Sequence, residues 1–449
     1  MQKRVLSSAI ALALTALAAG SALAQSSVTI YGNIDVSFDR VKRDAGDRLL
    51  PQNTISSDAN TAYTRINDSL SNKQSFSRVG PDLSSQSALG FRGVEDLGGG
   101  YKGNFVLEGQ MGVDNGALLR DGRMFGRQAY VGVTTPFGEV RLGRQYAPIF
   151  FSSALVTTER FGGTDQFIEG GLSNSLNIRW DNAITYSAQM GGFRGQLGFS
   201  PNAGVAERIN AQRGGNGSDA NGSIVGGNNS GASTEKTSGA GRSWGAFGAY
   251  AIDALTVTAG YGSTNFANTP VYLATGNTGP AFMFNLGDYS VWNLGAKYVL
   301  KDLGLTFNGA FGRGSYDIKN ANTATSGTSL LTSGVAGLFG ITNGDLRVSS
   351  LVLGTRYEIG AVGLLAQWSE TKFRNEGRGK NVAYTLGAEY SLSKRTTLYS
   401  RYEQIKDTGV GPAVLLAATG IREVPTIGGA GITPNGKTST IALGVRHNF

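Results

Sequence analysis

The chain of 449 residues contains no cysteine, one histidine and only ten prolines, and charged residues make up 16% of it. Without cysteine there is no disulfide scaffold, thiolate metal site or cysteine nucleophile. A lone His447, two positions from the end, argues against a His-rich metal site or a Ser-His-Asp triad. Apart from one N-terminal run, no apolar stretch approaches the roughly 18 residues that a membrane-spanning helix needs. What the chain has in excess is glycine, 67 residues, roughly double ordinary usage. Aromatics at 9% and the weak overall charge exclude a disordered chain. The composition fits a large, glycine-rich, all-β protein.

The N-terminal run reads as an export signal. Lys3 and Arg4 precede an apolar stretch from Val5 to Ala19, and Ala22-Leu23-Ala24 fits a small-residue cleavage site. The expected organisation is a cleaved leader, 1–24, and a single domain, 25–449, whose charge falls below the +8 of the whole chain once Lys3 and Arg4 leave. An exported chain with no helical span is either soluble in an envelope space or embedded as a barrel.

Hydrophobicity alternates with period two from end to end. In 28–38 the even positions are Val28, Ile30, Gly32, Ile34, Val36 and Phe38, against Thr29, Tyr31, Asn33, Asp35 and Ser37. The same pattern recurs at 101–111, 382–392 and 441–449. It predicts sixteen strands near 28–38, 86–95, 101–111, 123–134, 138–146, 177–188, 193–200, 243–252, 255–264, 289–300, 305–313, 346–359, 363–372, 381–392, 396–406 and 438–449. Each is about ten residues, the length with which a tilted strand crosses a bilayer, and the count is even, as in single-chain outer-membrane barrels. Tight turns such as 96–100, 135–138, 189–192 and 393–395 alternate with long loops at 39–85, 147–176, 201–242, 265–288, 314–345 and 407–437. That rhythm matches short periplasmic turns and longer outer loops.

The apolar face must meet lipid or a second sheet. The other face carries too many ionic groups to bury dry. The arrangement expected is therefore a transmembrane antiparallel β-barrel, apolar outside, with a water-filled bore. Tyr and Trp near strand ends, among them Tyr31, Trp180, Trp244, Tyr298 and Trp368, suit aromatic girdles. Gly98-Gly99-Gly100-Tyr101-Lys102-Gly103 fits a dinucleotide-binding pattern, but a period-two segment follows it where a helix is required. Basic residues are spread along strands with no nucleic-acid reader motif.

Several stretches together resemble the Gram-negative general porins of the neisserial and burkholderial type. They are Ala24 to Gly32, Gly90-Phe91-Arg92-Gly93-Val94-Glu95-Asp96-Leu97-Gly98-Gly99-Gly100, Arg127 to Val133, Phe137 to Tyr146, Tyr390 to Tyr399 and the terminal Gly444 to Phe449. The resemblance implies a sixteen-stranded homotrimeric porin in the outer membrane, among lipid and lipopolysaccharide. It implies a third loop folded into the lumen as a constriction, no cofactor, and passive diffusion of ions and small hydrophilic solutes. It also implies that the strand ending in Phe449 is the signal for the barrel-assembly machinery. One stretch departs from the family. Its Ser-Arg-x-Gly slot before Phe-Arg-Gly is filled by Ser87-Ala88-Leu89-Gly90, and a copy, Ser77-Arg78-Val79-Gly80, stands ten residues earlier with Pro81 to Gln86 as an apparent insertion. Either the strand is extended or the pore arginine has moved.

With 147–176 as the third long loop, the constriction carries Glu159, Asp165 and Glu169, and Asp165-Gln166-Phe167 resembles the family's Asp-Pro-Phe. Facing it, strand parity nominates Arg92, Lys102, Arg141, Arg179 and Arg194, with Lys297, Arg356, Arg401 and Arg446 further round. Opposite charges held across a narrow gap set up a transverse field that favours hydrated, dipolar solutes. Each arginine has an alternative role as a strut on Glu108, Asp181 or another acid, and Arg127 and Arg144 share faces with apolar neighbours, pointing to bends or subunit contacts. The competing function is an outer-membrane adhesin or structural barrel acting through its 39–85 and 201–242 loops.

Overall fold

In the computed structural model, residues 27–44, 74–81, 83–119, 123–158, 178–204, 241–265, 288–318, 344–374, 379–408 and 436–449 are described, with short strand pieces at 209–210, 268–272, 282–285, 426–427 and 430–431. The leader and most of the long loops lie outside these residues.

The wall is a single antiparallel sheet closed on itself. Its sixteen positions are β1 (Ser27–Arg43), β2 (in two pieces, Gln74–Pro81 and Ala88–Gly98), β3 (Tyr101–Gln110), β4 (Gln128–Thr135), β5 (Gly138–Tyr146), β6 (Arg179–Met190), β7 (Phe193–Ser200) and β8 (Ser243–Ile252). They continue with β9 (Leu255–Asn265), β10 (Asp288–Leu300), β11 (Leu305–Ile318), β12 (Gly344–Ile359), β13 (Val362–Arg374), β14 (Gly379–Ser391), β15 (Thr396–Thr408) and β16 (Lys437–Asn448). Each pairs with its chain neighbours, and β16 pairs with β1 to close the ring. No helix among the described residues is long and apolar enough to span a membrane.

The greasy side of the wall points outward. On β10, Leu294 is 54% exposed and its neighbour Asn293 only 1%. Val28, Ile30, Phe38, Val131, Leu197, Leu353 and Leu443 stand on the same outer surface. The inner surface is polar and cross-linked strand to strand: Thr185 donates to Gln145 (2.7 Å), Gln196 to Ser187 (3.1 Å), and the Ser243–Thr264 and Ser350–Thr371 hydroxyls pair at 2.7 and 2.9 Å. A soluble barrel would have the reverse polarity, because water covers its outside.

Besides the short strand pieces within the predicted loops, two features of the wall depart from the strand pattern read from sequence. First, β1 runs on to Arg43, and 74–81, expected as loop, is a strand lying along its upper half, from Val36↔Pro81 to Arg43↔Gln74. The lower half of β1 pairs with 88–94. Both pieces occupy one wall position, and six residues between them stand opposite only Ile34 and Asp35. Second, the predicted strand from 123 begins only at Gln128.

The third long loop starts with a short helix, α1 (Pro148–Ala154), opened by proline at its first turn. It lies inside the barrel. Thr258 on β9 donates to the Ser152 carbonyl (2.6 Å), Ser152 bonds Asn293 on β10, and Val156 packs on Ala310 of β11 and Val352 of β12. The Thr158 N–H is accepted by Gln367 on β13 (3.0 Å), and the Thr158 hydroxyl bonds Asn308 on β11. Residues 147–158 therefore cross the lumen along the wall from β5 to β13, clasped by side chains that a wide, wet bore would leave in water.

Candidate functional site

The in-folded segment covers one side of the bore, so the functional question is what faces it. On the stretch of wall that begins where the segment ends, Glu389 of β14 collects arginines from three strands. Arg401 on β15 reaches its Oε1 at 2.5 Å, Arg356 on β12 its Oε2 at 2.7 Å, and Arg446 on β16 stands at 3.8 Å. Arg356 also holds Glu358 (2.9 Å), and Arg401 lies over the Tyr399 ring (5.3 Å). Glycine makes room for this packing: a Cβ at Gly387 would come within 2.8 Å of the Arg401 guanidinium, and one at Gly363 within 2.7 Å of that of Arg356. Three guanidinium groups about two carboxylates, Glu389 and Glu358, leave one positive charge in excess on this wall.

A second cluster sits where the third loop leaves β5. Glu108 on β3 receives the Tyr31 hydroxyl (2.8 Å) and the Arg127 guanidinium (2.5 Å). Arg127 also donates to Tyr146 (3.0 Å) and to Gln86. Arg179 donates to the same Tyr146 hydroxyl (2.9 Å) with its guanidinium 4.5 Å over the ring, and Tyr146 stacks on Phe150 of α1 at 4.2 Å. The chain Tyr31–Glu108–Arg127–Tyr146–Phe150 ties the root of the in-folded segment to the wall.

Of the residues nominated from sequence, Glu159, Asp165 and Glu169 lie outside the described residues, although the segment that leads to them is in the lumen. Arg92 faces the lumen over the Tyr31 ring (5.2 Å). Arg141 faces it over Tyr130 (4.9 Å), paired with Glu139 (2.6 Å). Arg194 lies beneath α1, 5.5 Å from the Phe151 ring. Lys102 is on the lumen side next to the Gly98–Gly100 turn, at the rim and away from the narrow section. Arg179 is buried, 5% exposed, and works by holding Tyr146.

Parity does not carry through to Arg179, because β5 and β6 slip register between Gly143 and Gln145, and Asn182 adopts φ 52°. The same bulge re-aims Arg144, which with Arg123 grips Asp181 at 2.5 and 2.9 Å and also donates to the Gly126 carbonyl (2.7 Å). Arg144 therefore belongs to a bend, as its apolar neighbours foretold, while Arg127 belongs to the Glu108 cluster. The displaced Arg78 pairs with Asp39 (3.1 Å) on the upper half of β1, so the arginine has moved up an extended strand. Phe449 exchanges both backbone hydrogen bonds with Gly32 (3.1 and 3.0 Å), and His447, on the outer face, meets Thr396 at 2.9 Å.

A family model described as Gram-negative porin matches residues 9–409. The chain is 28% identical to outer membrane porin protein 32 of Delftia acidovorans over 456 residues, 98% of this chain and 99% of that protein. Among solved structures it is similar to an anion-selective porin from Comamonas acidovorans, with TM-score 0.59 and 22% identity over 95% of this chain and all of that one. The trimer form of OmpT from Vibrio cholerae aligns at TM-score 0.55 and 12% identity, over 94% and 99% of the two chains.

Proposed function

The chain belongs to the Gram-negative porin family, and on that premise we propose how its lumen selects what passes. It is an outer-membrane diffusion channel, a water-filled β-barrel for passive transport of ions and small hydrophilic solutes. Its relatives are channels and not enzymes, and the adhesin reading is not favoured.

The selective section is the level at which the segment 147–158 meets the arginine wall. We assign Glu159, Asp165 and Glu169 to the lumen edge of the third loop, with Arg92, Arg141 and Arg194 on the wall, and Arg179 as the residue that positions Tyr146. The observation that carries the electrostatic reading is the convergence of Arg356, Arg401 and Arg446 on Glu389. A surplus of fixed positive charge in a bore with low-dielectric walls concentrates anions. The similar porin from Comamonas acidovorans is anion-selective, which agrees with this direction. The test is the reversal potential of the purified protein in a planar bilayer across a salt gradient. Its sign should report anion preference, and neutralising Glu159, Asp165 and Glu169 together should increase that preference. A cation-selective channel overturns the electrostatic reading, and an unchanged potential in the triple variant removes those acids from the eyelet.

The assembly we infer is a homotrimer, in line with the trimer form of the Vibrio neighbour. The lipid-facing belt meets outer-membrane lipid and lipopolysaccharide. The last strand, ending on Phe449, is the part presented to the barrel-assembly machinery, and the leader 1–24 is removed before that step.

A further inference from the structure

The interrupted strand β2 places a second piece of chain inside the bore. Residues 83–87 leave the sheet between the two pieces of β2 and lie on the lumen side of β1. The Ser84 N–H donates to the Asp35 carboxylate (3.2 Å). Ser87 Oγ accepts from the Asp35 N–H (3.0 Å) and donates to its carbonyl (3.1 Å), taking the place of the missing ladder bonds. The Asn33 amide donates to the Gln86 carbonyl and to Ser85 Oγ, both at 2.9 Å. Leu83 packs on Tyr399 and Ala442, whose strands β15 and β16 form the next two wall positions. Asp35, Tyr399 and Ala442 sit on the face that should be wet, yet they are 0%, 4% and 2% exposed. What covers them is this segment.

The segment lies opposite α1. In a ring of sixteen strands, β1 faces β9, and β9 is where Thr258 holds Ser152. The two also share a level above the short-turn rim. Tyr399 is three residues into β15 and Arg446 three from the chain end, while Thr258 is three residues into β9. Each side of 83–87 is tied to an arginine: Arg446 of the charged wall donates to Ser84 (2.7 Å) and Arg127 of the Glu108 cluster to Gln86.

We propose that residues 83–87 form a second constriction element, which narrows the eyelet from the wall facing the third loop and sets the largest hydrated solute that passes. The inference rests on the channel function and adds the element that sizes it. Two opposed inserts at one level restrict a bore more than one insert does. Arg127 anchors one end of this insert, and Arg446, at the other end, is the group a passing anion meets.

The chain has no cysteine, so a single introduced thiol can be labelled cleanly. Ser85 is only half-buried and its replacement is nearly isosteric, so Ser85→Cys should fold. Treatment of reconstituted Ser85→Cys channels with a cationic or an anionic methanethiosulfonate should at least halve single-channel conductance, and the anionic adduct should depress anion preference further. Thr256→Cys, on the lumen side of β9 but beside the short turn where only the wall bounds the bore, should lose little. Ser85→Trp gives the same reading without labelling, as a smaller cut-off in liposome swelling with neutral sugars. A Ser85→Cys channel whose conductance is unchanged by both reagents, or a Ser85→Trp channel with the parent cut-off, overturns the second constriction and leaves the channel function intact. An unmodified protein that forms no pores overturns both.

Discussion

Gly32 and Phe449 close the barrel as a mutual pair: each N–H donates to the other's carbonyl, at 3.1 and 3.0 Å, and the Phe449 ring lies where a side chain on residue 32 would have to go. A Cβ on Gly32 would stand 2.7 Å from the Phe449 ring and would collide with the Ala88 carbonyl oxygen. The first strand therefore accepts both the second and the last strand only with glycine at this point. Gly32→Ala should weaken closure by about 1–3 kcal/mol through overpacking against backbone that cannot move aside. Heat-modifiable mobility on gels reads this directly, as a lower temperature for conversion from the fast, folded band to the slow one. An unchanged conversion temperature would show that the seam relaxes.

Glu389 is the hub of the charged wall. Its removal would strand Arg401, whose side chain is 1% exposed, beside Arg356 and Arg446. Breaking a buried pair by deleting one partner typically costs about 3–5 kcal/mol. Glu389→Ala should lower the urea midpoint by that measure and raise anion preference in bilayer recordings. Glu389→Ala combined with Arg401→Met should recover part of the stability while returning selectivity toward the parent. If the double variant is no more stable than the single one, the cost lies elsewhere than in the guanidinium that has lost this carboxylate.

Much of this architecture is legible in the sequence because lipid and water impose opposite demands on alternate residues. All sixteen wall positions carry a period-two signal, and Asn293 and Leu294 show it in two letters. The features that escape the pattern are those that break the alternation. The bulge at Gly143–Gln145 with Asn182 interrupts the parity that nominated Arg179, and that side chain is buried against Tyr146. Arg127 stands just before β4 and reaches Glu108 and Tyr146 on the two adjacent strands and Gln86 of the insertion, and a residue outside the strand leaves no periodic trace. The Pro81 to Gln86 insertion is visible as extra residues, but its inward course depends on Asp35 and Asn33, whose side chains line the lumen fifty residues earlier.

The third loop stays in the lumen through a few clasps on the wall. Gln367 accepts the Thr158 N–H, Asn293 meets Ser152, and Val156 is fully buried between Ala310 and Val352. Gln367→Ala with Val156→Ala should release about 2 kcal/mol of these contacts, the sum of one lost hydrogen bond and a small buried truncation. The barrel itself should keep its denaturation midpoint within a narrow margin, because the strand ladder is untouched. Single-channel recordings should show larger and noisier conductance. A quiet channel of parental conductance would place the narrowing somewhere other than the 147–158 segment.

The orientation of the wall makes the sharpest demand on a substitution. Leu294 is the seventh residue of the thirteen in β10 and points outward, 54% exposed to what is acyl chain in the membrane. An arginine placed on the lipid face near the bilayer midplane costs about 2–4 kcal/mol, because its charge has neither water nor a partner there. Leu294→Arg should therefore reduce folding into phospholipid bilayers by that amount, read as a shifted midpoint in urea titration of barrels reconstituted in vesicles. Asn104→Arg tests the opposite face. Asn104 is on the inner side of β3, bonded to Thr134 at 3.1 Å, and a guanidinium there enters water. It should leave the midpoint nearly unchanged and increase anion preference. Equal costs for the two variants would mean that both faces of the wall meet the same medium, which no membrane-spanning barrel with a wet lumen allows.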